Sequence, residues 1–261
     1  MNYLLAVLAG AVQGLTEFLP ISSTGHLIIF EHLTNISQND FGLAFDASLH
    51  LGTLLAVLVF FFKDYLKILN LKNGLLLKLT VATAPAALFG LIFENSIESS
   101  FRQLWVVGLA LIVFSPVMVL AEIYGKKGEK EENTTPLQAI IVGFAQALAL
   151  IPGISRSGAT ISAGLFLGLK RDEAARFAFM VSGPIIAGAG LKKFLEVITS
   201  SNLTSQDFNF FIVGMASSAI FGYLTIKYFI KYLSSKTLYP FVAYRIILGL
   251  ILLASSLTTI Y

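Results

Sequence analysis

The sequence predicts an all-α polytopic membrane protein with an inverted-topology repeat, each half a re-entrant helical hairpin followed by three transmembrane helices. Three observations lead there. Of 261 residues 56% are hydrophobic and only 13% charged, about half the charged share of an ordinary soluble domain, too little to cover a water-facing globule. Apolar stretches long enough to cross a bilayer recur along the chain. Two further apolar stretches, 3–33 and 137–169, are broken near their centres by proline with Gly, Ser and Thr around it, and resemble one another.

Six uninterrupted stretches read as spans: 43–62, 76–93, 104–121, 174–191, 208–230 and 240–258. They must be helices, because hydrocarbon cannot satisfy open backbone groups. The two broken stretches read as pairs of half-helices meeting at a turn, a form tolerated only against protein or a water-filled cavity, and a pointer to binding sites. Shifting the chain by 133 residues aligns Gly10, Gln13, Leu15, Ile21, Ser22, Gly25 and Ile28 with Gly143, Gln146, Leu148, Ile154, Ser155, Gly158 and Ile161. The chain is therefore read as one membrane domain of two repeats, 1–125 and 134–261, joined by a charged linker over 125–133 whose cluster Lys126 to Glu132 is expected to be solvated. Three spans per half force the second half to insert upside down.

Lysine and arginine counts give the same inversion. The segments 63–78, 122–136, 170–176 and 227–240 hold most of the basic residues and belong on the cytoplasmic side. The N-terminus, 34–42 and the C-terminus hold none, and 94–103 holds only Arg102, so these face outward, both termini included. The segment 192–207, with Lys192 and Lys193, must also lie outside if every span crosses once, against the count.

Composition closes several function classes. Without cysteine there is no disulfide, thiolate metal site or cysteine nucleophile. Three histidines, His26, His32 and His50, make multi-histidine metal centres hard to assemble. A net charge of +3 with lysines in short loops gives no support for nucleic-acid binding. The apolar start lacks a basic leader and a cleavage site, so it reads as a retained segment rather than a signal peptide.

The chemistry is expected at the two turns. In QGLTEFLPISSTGHL, Gln13 to Leu27, Glu17 is the only formally charged side chain of residues 1–30, and a carboxylate within hydrocarbon needs a partner, a cation or water. Gln13 and Glu17 lie four apart, on one helical face, and together suit a hard divalent cation, Mg2+ or Ca2+. Ser22, Ser23, Thr24 and His26 follow Pro20 and supply hydroxyls and a group titrating near neutrality. In QALALIPGISRSGATI, Gln146 to Ile161, Arg156 is the only charge, and its planar fork suits phosphate. Ser155, Ser157 and Thr160 stand around it. Gly153 and Gly158 would let backbone N–H groups reach an anion, and Ser157 is placed to cap the following half-helix. A purely structural Arg156–Glu17 pair joining the repeats remains open and is compatible with a phosphate cradle. Asp46 and His50, one turn apart on the first full span, have no assigned role; His32 reads as interfacial, and Trp105 as part of an aromatic belt.

These paired motifs, QGLTEFLPISSTGHL and PGISRSGAT, resemble the signature of the bacterial undecaprenyl-pyrophosphate phosphatases, the membrane enzymes linked to bacitracin resistance. The resemblance covers essentially the whole chain. It implies removal of the terminal phosphate from the polyprenyl pyrophosphate lipid left by wall-polymer assembly, a required divalent cation, and an active site opening to the outer face of the cytoplasmic membrane. Glu17 matches the second acid of the family's (E/Q)xxxE pattern and Gln13 its first position in glutamine form, one negative charge fewer for a cation. Ser23 and His26 match the first motif's catalytic serine and histidine; Ser155, Arg156, Ser157 and Thr160 match the second motif's phosphate-binding residues. The expected chemistry has Ser23, or a water it positions, attacking phosphorus with His26 as general base. The type-2 phosphatidic acid phosphatases need a second histidine downstream, and none follows His50. A carrier moving a lipid phosphate without cleaving it is the alternative from another class, since inverted repeats with broken helices also build transporters. A homodimer is left open.

Overall fold

The computed structural model describes residues 3–34, 40–70, 74–99, 101–125, 128–200 and 204–258. The described residues form eleven α-helices: α1 (Tyr3–Phe18), α2 (Ser23–Thr34), α3 (Asp40–Phe60), α4 (Phe62–Leu66), α5 (Leu75–Ser99), α6 (Leu104–Tyr124), α7 (Pro136–Leu148), α8 (Arg156–Phe166), α9 (Arg171–Ser200), α10 (Ser205–Leu233) and α11 (Tyr239–Thr258). Among the described residues the only strand-like pairing is one isolated bridge, Glu129 with Leu169. Among the described residues five helices are long and apolar enough to span a membrane, and the pair Ala44–Phe60 and Phe62–Leu69, bent by 72°, makes a sixth when taken as one broken span. The expected architecture is present, with both broken stretches folded as helical hairpins, α1–α2 and α7–α8.

The shift of 133 residues that aligns the motifs also carries α1 onto α7, α2 onto α8, α5 onto α10 and α6 onto α11 within about three residues at each end, and α3 onto α9, which runs on seven residues further. Packing obeys the same exchange. Helix α1 lies along α10, and its counterpart α7 lies along α5; α3 meets α9, and α6 meets α11. Each hairpin is thus held by a span of the opposite half, so neither half closes a core alone.

The close approaches rest on small residues, as between helices in lipid, where packing and not water drives association. A Cβ on Gly10 would sit 2.7 Å from Ser217 Cβ on α10, and one on its counterpart Gly143 would sit 2.6 Å from the Ala82 carbonyl on α5. The outer faces carry exposed Leu58, Val59, Leu91, Ile92, Val113, Ile220, Ile247 and Ile251, the apolar cover that lipid requires. Inside, Phe18, Phe61, Phe177, Phe179 and Phe229 pack with Val57, Met118, Ile161 and Val181 into a core shared by both halves.

Charged side chains gather at one end of the bundle. Arg176 pairs with Asp64 at 3.1 Å and Glu131 at 3.5 Å, and Arg171 with Glu122 at 2.7 Å. The linker corrects one expectation: its described part is docked, not merely solvated. Gly128 and Glu129 N–H groups donate to the Gly168 carbonyl, Lys170 N–H to that of Glu129, and Glu131 is buried. Burial pushes the Glu131 carboxyl above its ordinary range, the nearby Arg176 pulling the other way. Lys126 and Lys127 lie outside the described residues.

Candidate active site

Both hairpins turn through a serine with left-handed backbone, Ser22 at φ 72° and Ser155 at φ 75°, positions related by the repeat shift. A side chain rarely adopts this conformation without cause. Both serines also cap: Ser22 Oγ accepts from Gly25 N–H at 3.4 Å and Ser155 Oγ from Gly158 N–H at 3.2 Å, so each serine opens its half-helix. Ser155, and not Ser157, is therefore the cap of α8. The next residues, Ser23 and Arg156, begin α2 and α8, and they too are repeat equivalents.

The two half-helix N-termini meet at a cavity of about 320 Å3 lined by Glu17, Ser22, Ser23, Thr24, Ser155 and Arg156 together with Asp46, His50, Arg102, Gln146 and Lys193. Helix N-termini present partial positive charge, and Arg156 adds a full one, so the cavity suits an anion. Arg156 Nη2 donates to Glu17 Oε1, joining the halves by the ion pair that the two lone charges suggested. Ser23 Oγ donates to Glu17 Oε2 at 2.5 Å, and Gln13 Nε2 donates to the same oxygen at 2.9 Å. The Glu17 side chain is 4% exposed and that of Arg156 20%, so the acid is sealed while the guanidinium reaches the cavity.

Several expected residues have other work. His26 donates from Nδ1 to the Ser22 carbonyl at 2.7 Å, which leaves Nε2 to accept from the Tyr244 hydroxyl at 2.7 Å. Its ring stacks on Tyr244, and it does not line the cavity. His50 does line it: Nδ1 donates to the Asp46 carbonyl at 2.8 Å and Nε2 stands 3.8 Å from Glu17 Oε2. Gly153 N–H donates to Ser22 Oγ at 3.0 Å, and Gly158 N–H to its cap, so neither is open to an anion. Ser157 Oγ donates to the Leu19 carbonyl at 2.8 Å and Thr160 Oγ1 to that of Arg156 at 2.7 Å. Ser157 thereby ties the second hairpin to the first, while Thr160 bonds back within α8. Of the expected phosphate contacts, Ser22, Thr24, Ser155 and Arg156 reach the cavity.

Sequence reasoning missed Arg102, Gln146 and Lys193 as cavity residues and gave His50 no role. Each carried a signal: Arg102 is the lone basic residue of segment 94–103, Gln146 is the repeat partner of Gln13, and Lys193 sits in the segment that broke the charge count. Arg102 is fixed by Asp46 at 2.9 Å and Glu31 at 3.4 Å.

The fit of a divalent cation rests on few donors. Among the described residues no three His, Asp or Glu side chains gather as a ligand set. Gln13 Oε1, buried beside Glu17, has no hydrogen-bond partner, and the same is true of Gln146 Oε1. Glu17 lines the cavity, but its oxygens already accept from Arg156, Ser23 and Gln13, and Gln13 is fully buried behind it, so a hard cation sharing ligands with substrate phosphate and water would have to displace these bonds.

This is an integral membrane protein that brings an acid, a hydroxyl and a guanidinium from two inverted hairpins to one anion-sized cavity. Residues 6–251 match the family of bacitracin resistance protein BacA, and the chain belongs to it. It is similar to the undecaprenyl-diphosphatase of Rubrobacter xylanophilus, 43% identical over 97% of this chain and 98% of that protein. The undecaprenyl-diphosphatase of Geotalea daltonii is 40% identical over 95% of this chain and 96% of its own length, and that of Mycolicibacterium smegmatis 41% over 97% and 96%.

Proposed function

We propose that this chain hydrolyses undecaprenyl pyrophosphate to undecaprenyl phosphate and inorganic phosphate. The observation that carries the reading is the Ser23–Glu17–Arg156 contact: a hydroxyl hydrogen-bonded to a buried carboxylate, beside a guanidinium that faces an anion-sized cavity. Relatives over nearly the whole chain named for this activity support it.

Arg156 and the N-terminus of α8 hold the terminal phosphate, and Ser23 Oγ attacks its phosphorus. The bond to the bridging oxygen breaks, its electron pair leaving with undecaprenyl phosphate. Glu17, within hydrogen-bond reach, takes the Ser23 proton; His26 is turned to Tyr244 and is not placed to do so. Water then cleaves the phosphoserine, giving phosphate and restoring the Ser23 hydroxyl. Gln13 and Glu17 would hold a divalent cation, Mg2+ or Ca2+, that offsets the charge of the pyrophosphate and so depends on the substrate for its remaining ligands. Stabilising charge on the transferring phosphoryl group supplies most of the catalysis in such reactions.

The cavity is lined by Asp46 and Arg102, near the ends of spans that the basic-residue count places outside, and by Lys193, whose end lies outside if every span crosses once, while the Arg171, Arg176 and Lys78 cluster marks the other end. This supports a site opening to the outer face of the cytoplasmic membrane, with both termini outside and repeats 1–125 and 134–261 facing opposite ways. The test is phosphate release from undecaprenyl pyrophosphate by purified protein, with Mg2+ or Ca2+ and with chelator, beside Ser23→Ala and Arg156→Ala. Cation-dependent release lost in both variants supports the reading. No release from well-folded protein overturns it in favour of a carrier.

A further inference from the structure

Helix α11 carries a second arginine inside the bundle, Arg245, whose side chain is fully buried at 0% exposure and does not line the cavity. A charge so placed is costly and needs a compensating arrangement. Its partners are oxygens of the turns and of α6. Nη1 donates to the Pro20 carbonyl at 3.2 Å; Nη2 donates to the Gly153 carbonyl at 3.0 Å and to that of Leu111 at 3.3 Å; Nε donates to Ser115 Oγ at 3.3 Å. The guanidinium also lies over the Phe114 ring, 5.7 Å from its centroid.

Pro20 and Gly153 are repeat equivalents, each two residues before its left-handed serine and three before Ser23 or Arg156. One guanidinium therefore grips the same carbonyl in both hairpin turns at once. We propose that Arg245 is a positioning residue: it ties the two turns to α6 and fixes the separation of Ser23 from Arg156, on which in-line attack at a held phosphate depends. The proposal rests on the phosphatase reading for its kinetic arm only. A lysine at this position keeps the charge but offers one nitrogen in place of the three that Arg245 spreads over Pro20, Gly153 and Ser115. A displacement of about 1 Å between reacting groups costs up to about 100-fold in rate.

Two measurements test it. Arg245→Lys should lower kcat about 10- to 100-fold and leave KM within about threefold, because the groups that hold the pyrophosphate are untouched. Turn geometry is read separately, without activity, by cross-linking. The chain has no cysteine, and a Cβ on Gly158 would lie 3.5 Å from Pro20 Cβ, within disulfide range, so Pro20→Cys with Gly158→Cys reports the turn-to-turn contact. Oxidation in membranes should form this disulfide at least about fivefold more slowly when Arg245→Lys is added, as the tie loosens. A kcat within twofold of the parent, a KM rise with kcat preserved, or an unchanged cross-linking rate overturns the proposal. Should Arg245→Lys fail to fold, Ser115→Ala decides, since it removes one partner of the guanidinium and favours the helix: a severalfold kcat loss at constant KM supports the tie, and normal turnover overturns it. If the parent protein releases no phosphate, the functional reading falls, while the cross-linking comparison still tests the tie.

Discussion

Glu17 and Arg156, 139 positions apart in the chain and in opposite repeats, form an ion pair at the junction of the two hairpins. Glu17 is the only formal charge of residues 1–30, and Arg156 the only one of 137–169. A pair shared this way does two jobs. Without ligand it neutralises both charges in a low-dielectric setting; on the proposed reaction, a pyrophosphate in the cavity would meet a guanidinium already aimed at it and leave Glu17 to Ser23. Arg156→Ala should lower phosphate release by at least about 1000-fold, the upper range for losing one charged stabiliser of the transition state. Arg156→Lys should lose about 100-fold, since a point charge cannot make the bidentate contact. Expression and monodispersity in detergent are the controls; near-normal turnover of either variant removes Arg156 from the chemistry.

Ser23 and Glu17 act as one unit if the hydroxyl proton passes to the carboxylate. Ser23→Ala and Glu17→Gln should each reduce kcat by about 100- to 10,000-fold, the scale of general-base and nucleophile losses, and the double variant should fall little further. Additive losses would separate the two roles. Glu17→Gln should also blunt the response to added Mg2+ or Ca2+, and an unchanged metal response would move the cation elsewhere.

The histidines reverse the expectation drawn from the motif. His26 is committed at both nitrogens, to the Ser22 carbonyl and to Tyr244, whereas His50 faces Glu17 across 3.8 Å. His26→Ala and Tyr244→Phe should cost no more than about tenfold in kcat, as losses of a brace, and His50→Ala should cost more than either. Parallel kinetics on the three variants settle the order; a larger loss for His26→Ala would return it to the reaction.

What the sequence disclosed, it disclosed through constraints that act locally. Helices, spans and hairpins follow from bilayer length and proline placement, and the repeat from identities such as Gln13 with Gln146. Lone charges in hydrocarbon marked Glu17 and Arg156. Hydroxyl partners were not legible, because Ser155, Ser157 and Thr160 differ only in which oxygen a folded turn brings near; the first caps its helix and the other two donate to carbonyls. Arg245 was hidden for a different reason: it sits in an ordinary apolar span, and only the fold reveals that two distant carbonyls converge on it.

Ser22 joins the turns from the hydroxyl side. Its Oγ accepts from Gly25 of its own hairpin and from Gly153 of the other, whereas Ser155 caps α8 alone and shares its hydroxyl with Ser157 at 3.1 Å. Ser22→Ala should therefore destabilise by about 2–4 kcal/mol, a lost cap together with a buried N–H left unpaired. Ser155→Ala should cost about 1 kcal/mol, the cap alone. Thermal unfolding of the detergent-purified proteins compares them, and equal shifts would mean that the Gly153 bond contributes nothing.

Orientation can be read with single cysteines because the native chain has none. Gln103 is exposed beside the cavity-lining Arg102, and Lys130 is exposed on the linker that packs near Arg171 and Arg176. If the cavity opens outward, a membrane-impermeant thiol reagent should label Gln103→Cys in intact cells and Lys130→Cys only after lysis. This assignment explains why Lys193 lies on a side where lysines are scarce: it lines a cavity built for an anion, so its position answers to the ligand and not to the membrane rule. Labelling in the reverse pattern would place the cavity on the cytoplasmic face and leave Lys193 as an ordinary inside lysine.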